Sequence, residues 1–378
     1  MKQTILKVSQ NYKELDYYLT NNHIQSLLLV CDKSLQNLSI NSYFENLKKR
    51  TGIKVVKFND FHPNPLYSSV VEGVQLYRNA NCQSIIAVGG GSAMDVAKCI
   101  KLYNNMNGNG ENGGFLTQTV VSNNTKLLVI PTTAGTGSEA TRYAVIYYKG
   151  EKQSITHESI IPETVLMDSS VLTTLPLYQK KATMLDALCH SIESFWSINS
   201  TEKSKKYSKE AIELIVNNME GYLLNDDRAN EKMLKAAHIA GKAINISQTT
   251  AGHAMCYKLT GLYGIAHGHA AALCVRELWP WMIQHIESCT DLRGKKYIKE
   301  VFLDLGSIFQ CTTDIDAAIK FRQIIAKLKM GMPNVSLHLH DYKILCESVN
   351  PIRLKNNPIK LDETTINVLY HKILQDET

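Results

Sequence analysis

The sequence predicts an α/β domain with a mostly parallel sheet over residues 1–176, followed by an all-helical domain over residues 177–378. Two patterns predict this. Up to about Leu175, short apolar runs alternate with amphipathic stretches, as they do where parallel strands are joined by crossover helices. From Leu177 onward, helical patterns follow one another with few strand signals, and Leu175-Pro176-Leu177 marks the break because a proline interrupts the periodicity there.

Ser26–Val30, Ile53–Phe58, Ser84–Val88 and Lys126–Ile130 are apolar runs of strand length. Between them, Leu66–Asn79 and Ser92–Leu102 carry apolar residues at helical spacing. The Tyr-rich segment Arg142–Lys149, closed by Gly150, reads as a hairpin ahead of a strand at Val165–Met167. In the second half the clearest helices are Met184–Ser197, Lys203–Tyr222, Asn230–Ile246 and Ala270–His285. No internal repeat interrupts this order. The Asn/Gly-rich stretch Asn104–Gly114 reads as a flexible loop without a functional role, and the region after about Cys289 reads as helices that only pack.

A chain of 378 residues with 44% hydrophobic and 20% charged composition can bury the cores of about two domains, which excludes a disordered or fibrous protein. No stretch approaches the roughly 18 apolar residues of a membrane helix, and the start MKQTILKVSQNYKEL lacks the apolar run of a signal peptide. The expected compartment is the cytoplasm, with no membrane partner. Nine cysteines, at 31, 82, 99, 189, 256, 274, 289, 311 and 346, form no CxxC pair and read as reduced core thiols. The net charge of +6 comes from dispersed lysines without an aromatic-interleaved stripe, which argues against nucleic acid. A mildly basic enzyme suits an anionic substrate, although net charge by itself does not show one.

Three constellations carry chemistry. Val88-Gly89-Gly90-Gly91-Ser92-Ala93-Met94-Asp95 follows an apolar strand and opens a helix, so backbone can approach a diphosphate and free N–H groups can face it. It is not the GxGxxG fingerprint. Pro131-Thr132-Thr133-Ala134-Gly135-Thr136-Gly137-Ser138-Glu139 crowds hydroxyls and glycines at the end of the next strand, where open α/β sheets bind ligands. Two such loops on successive strand ends point to a nucleotide.

The third constellation is metal-like. Asp186 and His190, four apart on a helix, leave the same face. His253 and His267 bracket the Gly-containing segment Leu259–Gly264. One carboxylate and three imidazoles suit Fe2+ or Zn2+. His269 competes with His267, since its spacing would suit a ligand on a strand. His23, His62, His238, His285, His338, His340 and His371 have no partner motif and read as surface or packing residues.

Taken together, GGGSAMDVAK, PTTAGTGSEAT, DALCHSIES and GHAMCYKLTGLYGIAHG, in this order and at these separations, resemble the iron-containing (group III) alcohol dehydrogenase family over roughly Leu27 to Ala272. The resemblance implies the dehydroquinate synthase-like fold: an N-terminal dinucleotide-binding domain, a helical metal-binding domain and an active site in the cleft between them. Carried over by motif, the metal ligands are Asp186, His190, His253 and His267. Gly89, Gly90, Gly91, Ser92 and Asp95 match the diphosphate loop, and Thr132, Thr133, Thr136 and Ser138 match the second nucleotide loop. Asn64 joins the cofactor-binding set, and Lys152 falls near a family lysine that reaches the nucleotide, across an alignment gap. A homodimer or larger homo-oligomer is implied.

Asp32 follows the strand at Ser26–Val30, where a carboxylate can accept from the adenosine ribose hydroxyls and repel a 2′-phosphate, so NAD(H) is expected over NADP(H). The alternative is a plain helix cap. Many family members carry a second histidine four residues after the first ligand histidine of the third motif. Here that position is Tyr257, whose ordinary pKa near 10 argues against its being the sole proton donor.

In detail, TAGTGSEATRYAVIY, KQSITHESIIPETV, YQKKATMLDALCHSIESFWS and AGKAINISQTTAGHAM look most like the phosphonoacetaldehyde reductase branch. That likeness implies reduction of phosphonoacetaldehyde to 2-hydroxyethylphosphonate, with Arg142 and Lys258 as candidate contacts for the anionic group. A generic short-chain alcohol or diol dehydrogenase is the rival reading. A dehydroquinate synthase-like lyase would need more lysines and arginines around the metal domain than the sequence offers.

Overall fold

Contacts divide the chain into two units, Met1–Leu175 and Pro176–Thr378. The computed structural model describes residues 3–336 and 338–374.

In the first unit six strands run parallel in one sheet: β1 (Thr4–Lys7), β2 (Ser26–Cys31), β3 (Lys54–Phe58), β4 (Ser84–Gly89), β5 (Lys126–Pro131) and β8 (Thr164–Met167), in the order β1-β8-β5-β4-β2-β3. β2, β4 and β5 are buried on both faces and therefore read as unbroken apolar runs. Alternate residues serve opposite cores. Leu28, Val30, Ile85, Ala87, Leu127 and Val129 face α3 (Tyr67–Asn79) and α4 (Gly91–Tyr103), whereas Leu27, Leu29, Ile86, Val88, Leu128 and Ile130 face α1 (Lys13–Asn21) and α2 (Asn41–Thr51). The expected α/β architecture is the one observed.

β1 is an addition to the expected elements. It is mostly exposed, only Leu6 being half-buried, and pairs with β8 from Thr4↔Thr164 to Lys7↔Met167. So short an edge strand carries no periodicity to read. β6 (Tyr143–Tyr148) and β7 (Glu151–Thr156) form the expected hairpin, with Lys149 and Gly150 both left-handed at its two-residue turn.

Asn104–Gly114 is a correction. Four carbonyls on or beside this loop, those of Tyr103, Asn104, Met106 and Gly108, accept from the Arg78 guanidinium at 2.5–3.0 Å. Tyr67 Oη donates to the Gly110 carbonyl at 2.7 Å. Glycines at 108, 110 and 113 take positive φ, so the composition that suggested flexibility instead lets the chain turn its carbonyls inward.

Sheet topology sets the first site. β2 leads outward to β3, while β4 leads to β5 on its other side, so the order reverses between β2 and β4. Cys31 pairs with Val88 and Gly89 with Pro131, which brings Asp32, Gly90 and Thr132 out together at the carboxyl edge of that reversal.

The second unit is helical. α5 (Leu177–Trp196) is its buried axis, flanked by α6 (Glu202–Leu223), α7 (Asp227–Ser247) and α9 (His267–Gln284), with α8 (Ala251–Tyr263) packed on α9. α10 (Lys295–Ile308), α11 (Asp314–Lys327), α12 (Leu339–Glu347), α13 (Pro351–Leu354) and α14 (Glu363–Leu374) complete it. Trp196 and Trp279, both fully buried, meet edge to face at 5.7 Å in its core. Six cysteines are buried and Cys289, Cys311 and Cys346 are half-buried; all nine are free thiols. Among the described residues no helix is long and apolar enough to cross a membrane.

Candidate metal centre and nucleotide site

Within the helical unit, α5, α8 and α9 bring Asp186, His253 and His267 together, with His190 of α5 reaching Asp186 from outside that trio. His253 Nε2 lies 3.4 Å from Asp186 Oδ1, His267 Nε2 3.9 Å and His190 Nε2 4.0 Å. Donor atoms of Asp186, His253 and His267 all fall within 4.8 Å of one another. The His190 ring stacks on His253 with centroids 4.4 Å apart. A tetrahedron with metal–nitrogen bonds of about 2.1 Å has edges of roughly 3.4 Å, so the spacing fits a divalent cation among these donors.

Two glycines permit the convergence. A Cβ on Gly268 would meet the Ala182 carbonyl oxygen at 2.1 Å and the Asp186 Cβ at 2.5 Å. A Cβ on Gly252 would meet Val275 Cγ2 at 2.6 Å and Glu193 Oε1 at 3.0 Å. Each sits beside a ligand histidine, and each lets its helix approach α5 more closely than any side chain would allow.

His253 is held from behind by Glu193, one turn past His190. The His253 Nδ1–H donates to Glu193 Oε2, while Glu193 Oε1 accepts from Thr250 Oγ1 at 2.6 Å and from the backbone N–H groups of Thr250 (3.1 Å) and His253 (3.3 Å). Trp196 Nε1 donates in turn to Thr250 Oγ1 at 2.9 Å. This carboxylate fixes the tautomer that presents Nε2 to the cluster. Sequence reasoning missed it, although Glu193 stands seven positions after Asp186 on the same helix face.

Electrostatics follow from the burial. Burial alone would raise the Asp186 carboxyl, but His190, His253 and His267 together hold it well below the usual carboxylate range. Burial would lower His253, yet Glu193 and Asp186 push it up to about 9. His269 faces elsewhere: its Nε2 donates to the Met330 and Gly331 carbonyls at 2.9 and 3.0 Å, and its Nδ1 lies 3.2 Å from Tyr178 Oη. Tyr257 stacks on His267 with centroids 5.3 Å apart. Lys258, five positions past His253, is exposed.

The nucleotide loops assemble in the first unit. Ideal Cβ atoms on Gly89, Gly90 and Gly91 would lie 2.9 Å from Asp32 Oδ2, 3.3 Å from Thr133 Cγ2 and 3.0 Å from Thr136 Cγ2. Asp32 also caps the turn Lys33–Asn37, accepting from Ser34 N–H at 2.8 Å. Ser92 lies in the first turn of α4, whose leading N–H groups are the expected anion donors. Thr132 N–H donates to the Gly89 carbonyl at 3.0 Å, and the buried Thr133 Oγ1 has no hydrogen-bond partner among the described residues. A glycine cradle with an unsatisfied hydroxyl fits a diphosphate.

Asp95 and Ser138 bind each other. Ser138 Oγ donates to Asp95 Oδ1 at 2.8 Å, and Val145 N–H donates to Asp95 Oδ2 at 3.0 Å. The fully buried Lys98 donates to the Ser138 and Tyr143 carbonyls (2.5 and 2.8 Å) and to Ser138 Oγ and Thr141 Oγ1 (2.8 and 3.1 Å). Burial brings its amine down to about 8 against the pull of Asp95. Lys98 thus staples the second loop to α4, a role unassigned from sequence although the residue lies inside GGGSAMDVAK. Burial raises the Asp95 carboxyl, and Lys98 and then Lys152 on β7 act against that rise. Asn64 is exposed and left-handed on the loop after β3. Arg142 pairs with Glu158 at 2.7 Å and lies over the Tyr143 ring.

Known proteins resemble the chain over nearly its whole length. Residues 3–169 match the profile of iron-containing alcohol dehydrogenases, and residues 180–374 match the C-terminal profile of the Fe-containing alcohol dehydrogenase family. Alcohol dehydrogenase 4 of Saccharomyces cerevisiae strain YJM789 is 25% identical over 90% of this chain and 91% of its own. The 1,3-propanediol dehydrogenase of Klebsiella pneumoniae is 28% identical over 83% of this chain and 80% of its own. A crystal structure of sulfoacetaldehyde reductase from Bifidobacterium kashiwanohense in complex with NAD+ superposes with a TM-score of 0.86 at 23% identity, covering 99% of this chain and 98% of that one.

Proposed function

The chain belongs to the iron-containing alcohol dehydrogenase family, oxidoreductases acting on CH–OH groups, and from that premise we propose that it uses NADH to reduce a small anionic aldehyde, phosphonoacetaldehyde, to 2-hydroxyethylphosphonate. The observation that carries the dehydrogenase chemistry is the convergence of three imidazole Nε2 atoms on Asp186 Oδ1.

Asp186, His190, His253 and His267 would hold Fe2+ or Zn2+. Gly89, Gly90, Gly91, Ser92, Thr132, Thr133 and Thr136 would hold the diphosphate, with Asp95 and Ser138 fixing the two loops; Asn64 and Lys152 would add to the cofactor-binding set on the motif likeness. Asp32 would accept from the ribose hydroxyls. When bound, the cation supplies Lewis-acid polarisation of a carbonyl oxygen and the dinucleotide supplies the hydride. Tyr257 keeps its proton: burial raises the phenol, with Cys256 next and the Arg353 charge opposing. It therefore serves as a hydrogen-bond donor at Oη, and protons for the alkoxide come from water or ribose hydroxyls.

The anionic substrate rests on the detailed motif likeness, supported by a fold shared with an enzyme named for a small aldehyde that bears a sulfonate. The similarity to 1,3-propanediol dehydrogenase favours the second reading, a short-chain alcohol or diol dehydrogenase. NADH oxidation by the iron- or zinc-loaded protein with phosphonoacetaldehyde, propanal and lactaldehyde separates the two. The expected order puts phosphonoacetaldehyde first in kcat/KM; equal use of propanal would leave the second reading standing.

A further inference from the structure

We propose that Tyr178 and His269 position the metal ligand His267. The proposal rests on the reading of Asp186, His190, His253 and His267 as the metal centre, and it gives His269, which is turned away from that centre, the task of holding one of its ligands in place.

His267 is the ligand that its surroundings enclose least. Its side chain is 37% exposed, against 3% for Asp186, 8% for His190 and 2% for His253. It opens α9, and the residue that caps that helix, Ala266, offers no side-chain acceptor. The position of such a ligand depends on the backbone turn that carries it.

That turn is tied down on both sides of His267. Ala266 N–H donates to Tyr178 Oη at 2.9 Å. The buried His269 ring has its Nε2 at 2.9 and 3.0 Å from the Met330 and Gly331 carbonyls. Carbonyl oxygens only accept, so Nε2 carries the proton. In the neutral ring Nδ1 is then an acceptor, and the Tyr178 hydroxyl 3.2 Å away donates to it. A single phenol oxygen thus joins residue 266 to residue 269 across the ligand. The two rings also meet edge to face at 5.9 Å. Tyr178 and Ala182 lie one turn apart on α5, and the Ala182 carbonyl is the atom that a Cβ on Gly268 would strike. Residues 266, 268 and 269 are therefore all registered against the first turns of the helix that carries Asp186.

The far anchor is a closed helix end. Met330 N–H donates to the Ile325 carbonyl at 3.0 Å and Lys329 N–H to the Ala326 carbonyl at 2.9 Å, with Lys329 left-handed at φ 54°. This cap seals α11 and fixes the direction of the Met330 carbonyl. A stretch of chain without a sequence motif thereby braces the metal centre.

The test uses the full chain with Co2+ or Zn2+ and compares the wild type with Tyr178→Phe, His269→Leu, His269→Gln and Lys180→Met. Lys180 is the control, because its buried ammonium donates to the Tyr222 carbonyl at 3.0 Å and ties α5 to the end of α6 instead. Metal affinity by chelator competition, the visible spectrum of bound Co2+ and the melting temperature are measured. Tyr178→Phe and His269→Leu are expected to weaken metal binding by about tenfold, the low end for groups that orient a ligand, since they act through its backbone and not its ring. Both should alter the Co2+ spectrum, and His269→Gln, which keeps a donor and an acceptor, should recover part of the loss. Lys180→Met should lower the melting temperature with affinity and spectrum unchanged. Wild-type affinity and spectrum in Tyr178→Phe and His269→Leu overturn the proposal, and so does an equal loss of affinity in Lys180→Met. Should His269→Leu fail to fold, Tyr178→Phe, which removes one oxygen from a side chain 41% exposed, decides alone. A wild type that binds neither cation overturns the metal centre itself, and this proposal with it.

Discussion

Glu193 accepts the Nδ1 proton of His253 on the side of the ring away from Asp186, whose Oδ1 lies 3.4 Å from Nε2. The imidazole is thus clamped between two buried carboxylates, one that orients it and one that shares its candidate metal.

Glu193→Gln keeps the side chain's shape but removes the charge that holds the Nδ1 proton. Metal affinity, measured by chelator competition, is expected to fall about 10- to 100-fold. Unchanged affinity would remove Glu193 from the metal centre.

In metal-free protein the His253 ring, pushed up to about 9 by Glu193 against the effect of burial, stays protonated where a free imidazole near 6.5 has lost its proton. Its contribution is therefore complete below about pH 6.5 and is lost as pH rises through 9. The melting temperature of stripped protein is expected to fall across that window by the equivalent of roughly 3 kcal/mol, with a smaller fall in Glu193→Gln. A wild-type melting temperature that rises over the same interval contradicts the pairing.

Gly268→Ala drives a methyl group into the Ala182 carbonyl oxygen. A loss of roughly 1–3 kcal/mol or more in urea unfolding is expected, together with loss of bound metal. Gly261→Ala on α8 meets nothing within 4 Å and should stabilise by up to about 1 kcal/mol. Equal effects at the two positions would show that close helix approach is not what the glycine at 268 provides.

Lys98→Met leaves the Ser138 and Tyr143 carbonyls without their shared donor. Stability should fall by roughly 2–4 kcal/mol, and NADH binding, followed by fluorescence, should weaken while metal content stays constant. Intact NADH affinity would mean that the staple does not position the loops.

Asp32→Asn removes the negative charge expected to face a 2′-phosphate. The ratio of kcat/KM with NADPH to that with NADH should rise on the order of tenfold, the equivalent of about 1.4 kcal/mol. No change would leave Asp32 as the cap of its turn alone.

Much of this was legible in the sequence for local reasons. Asp186 and His190 announce themselves because helical spacing places them on one face, and the two loops do so because each follows an apolar run directly. Glu193 and Lys98 lay inside quoted motifs yet had no visible role, since each acts through a segment that returns from 40 or more positions away. The family motif chose His267 over His269, and α9 supplies the physical reason: both lie in its first turn, and helical rotation sends the second toward Met330. The strand Thr4–Lys7 depends entirely on its partner near Thr164. Arg78 closing the Asn104–Gly114 loop is equally a tertiary event, because a lone arginine on α3 gives no sign of which carbonyls it will collect.

The glycine-mediated closeness of α5, α8 and α9 also ties the candidate metal centre to long-range docking. Residues 186 and 267 are 81 positions apart, and the cation's binding pocket exists only after all three helices have docked. The full donor set is therefore a product of tertiary docking, and metal stripped from the folded protein is expected to return on adding Fe2+ or Zn2+ without a refolding step, as followed by metal content and circular dichroism.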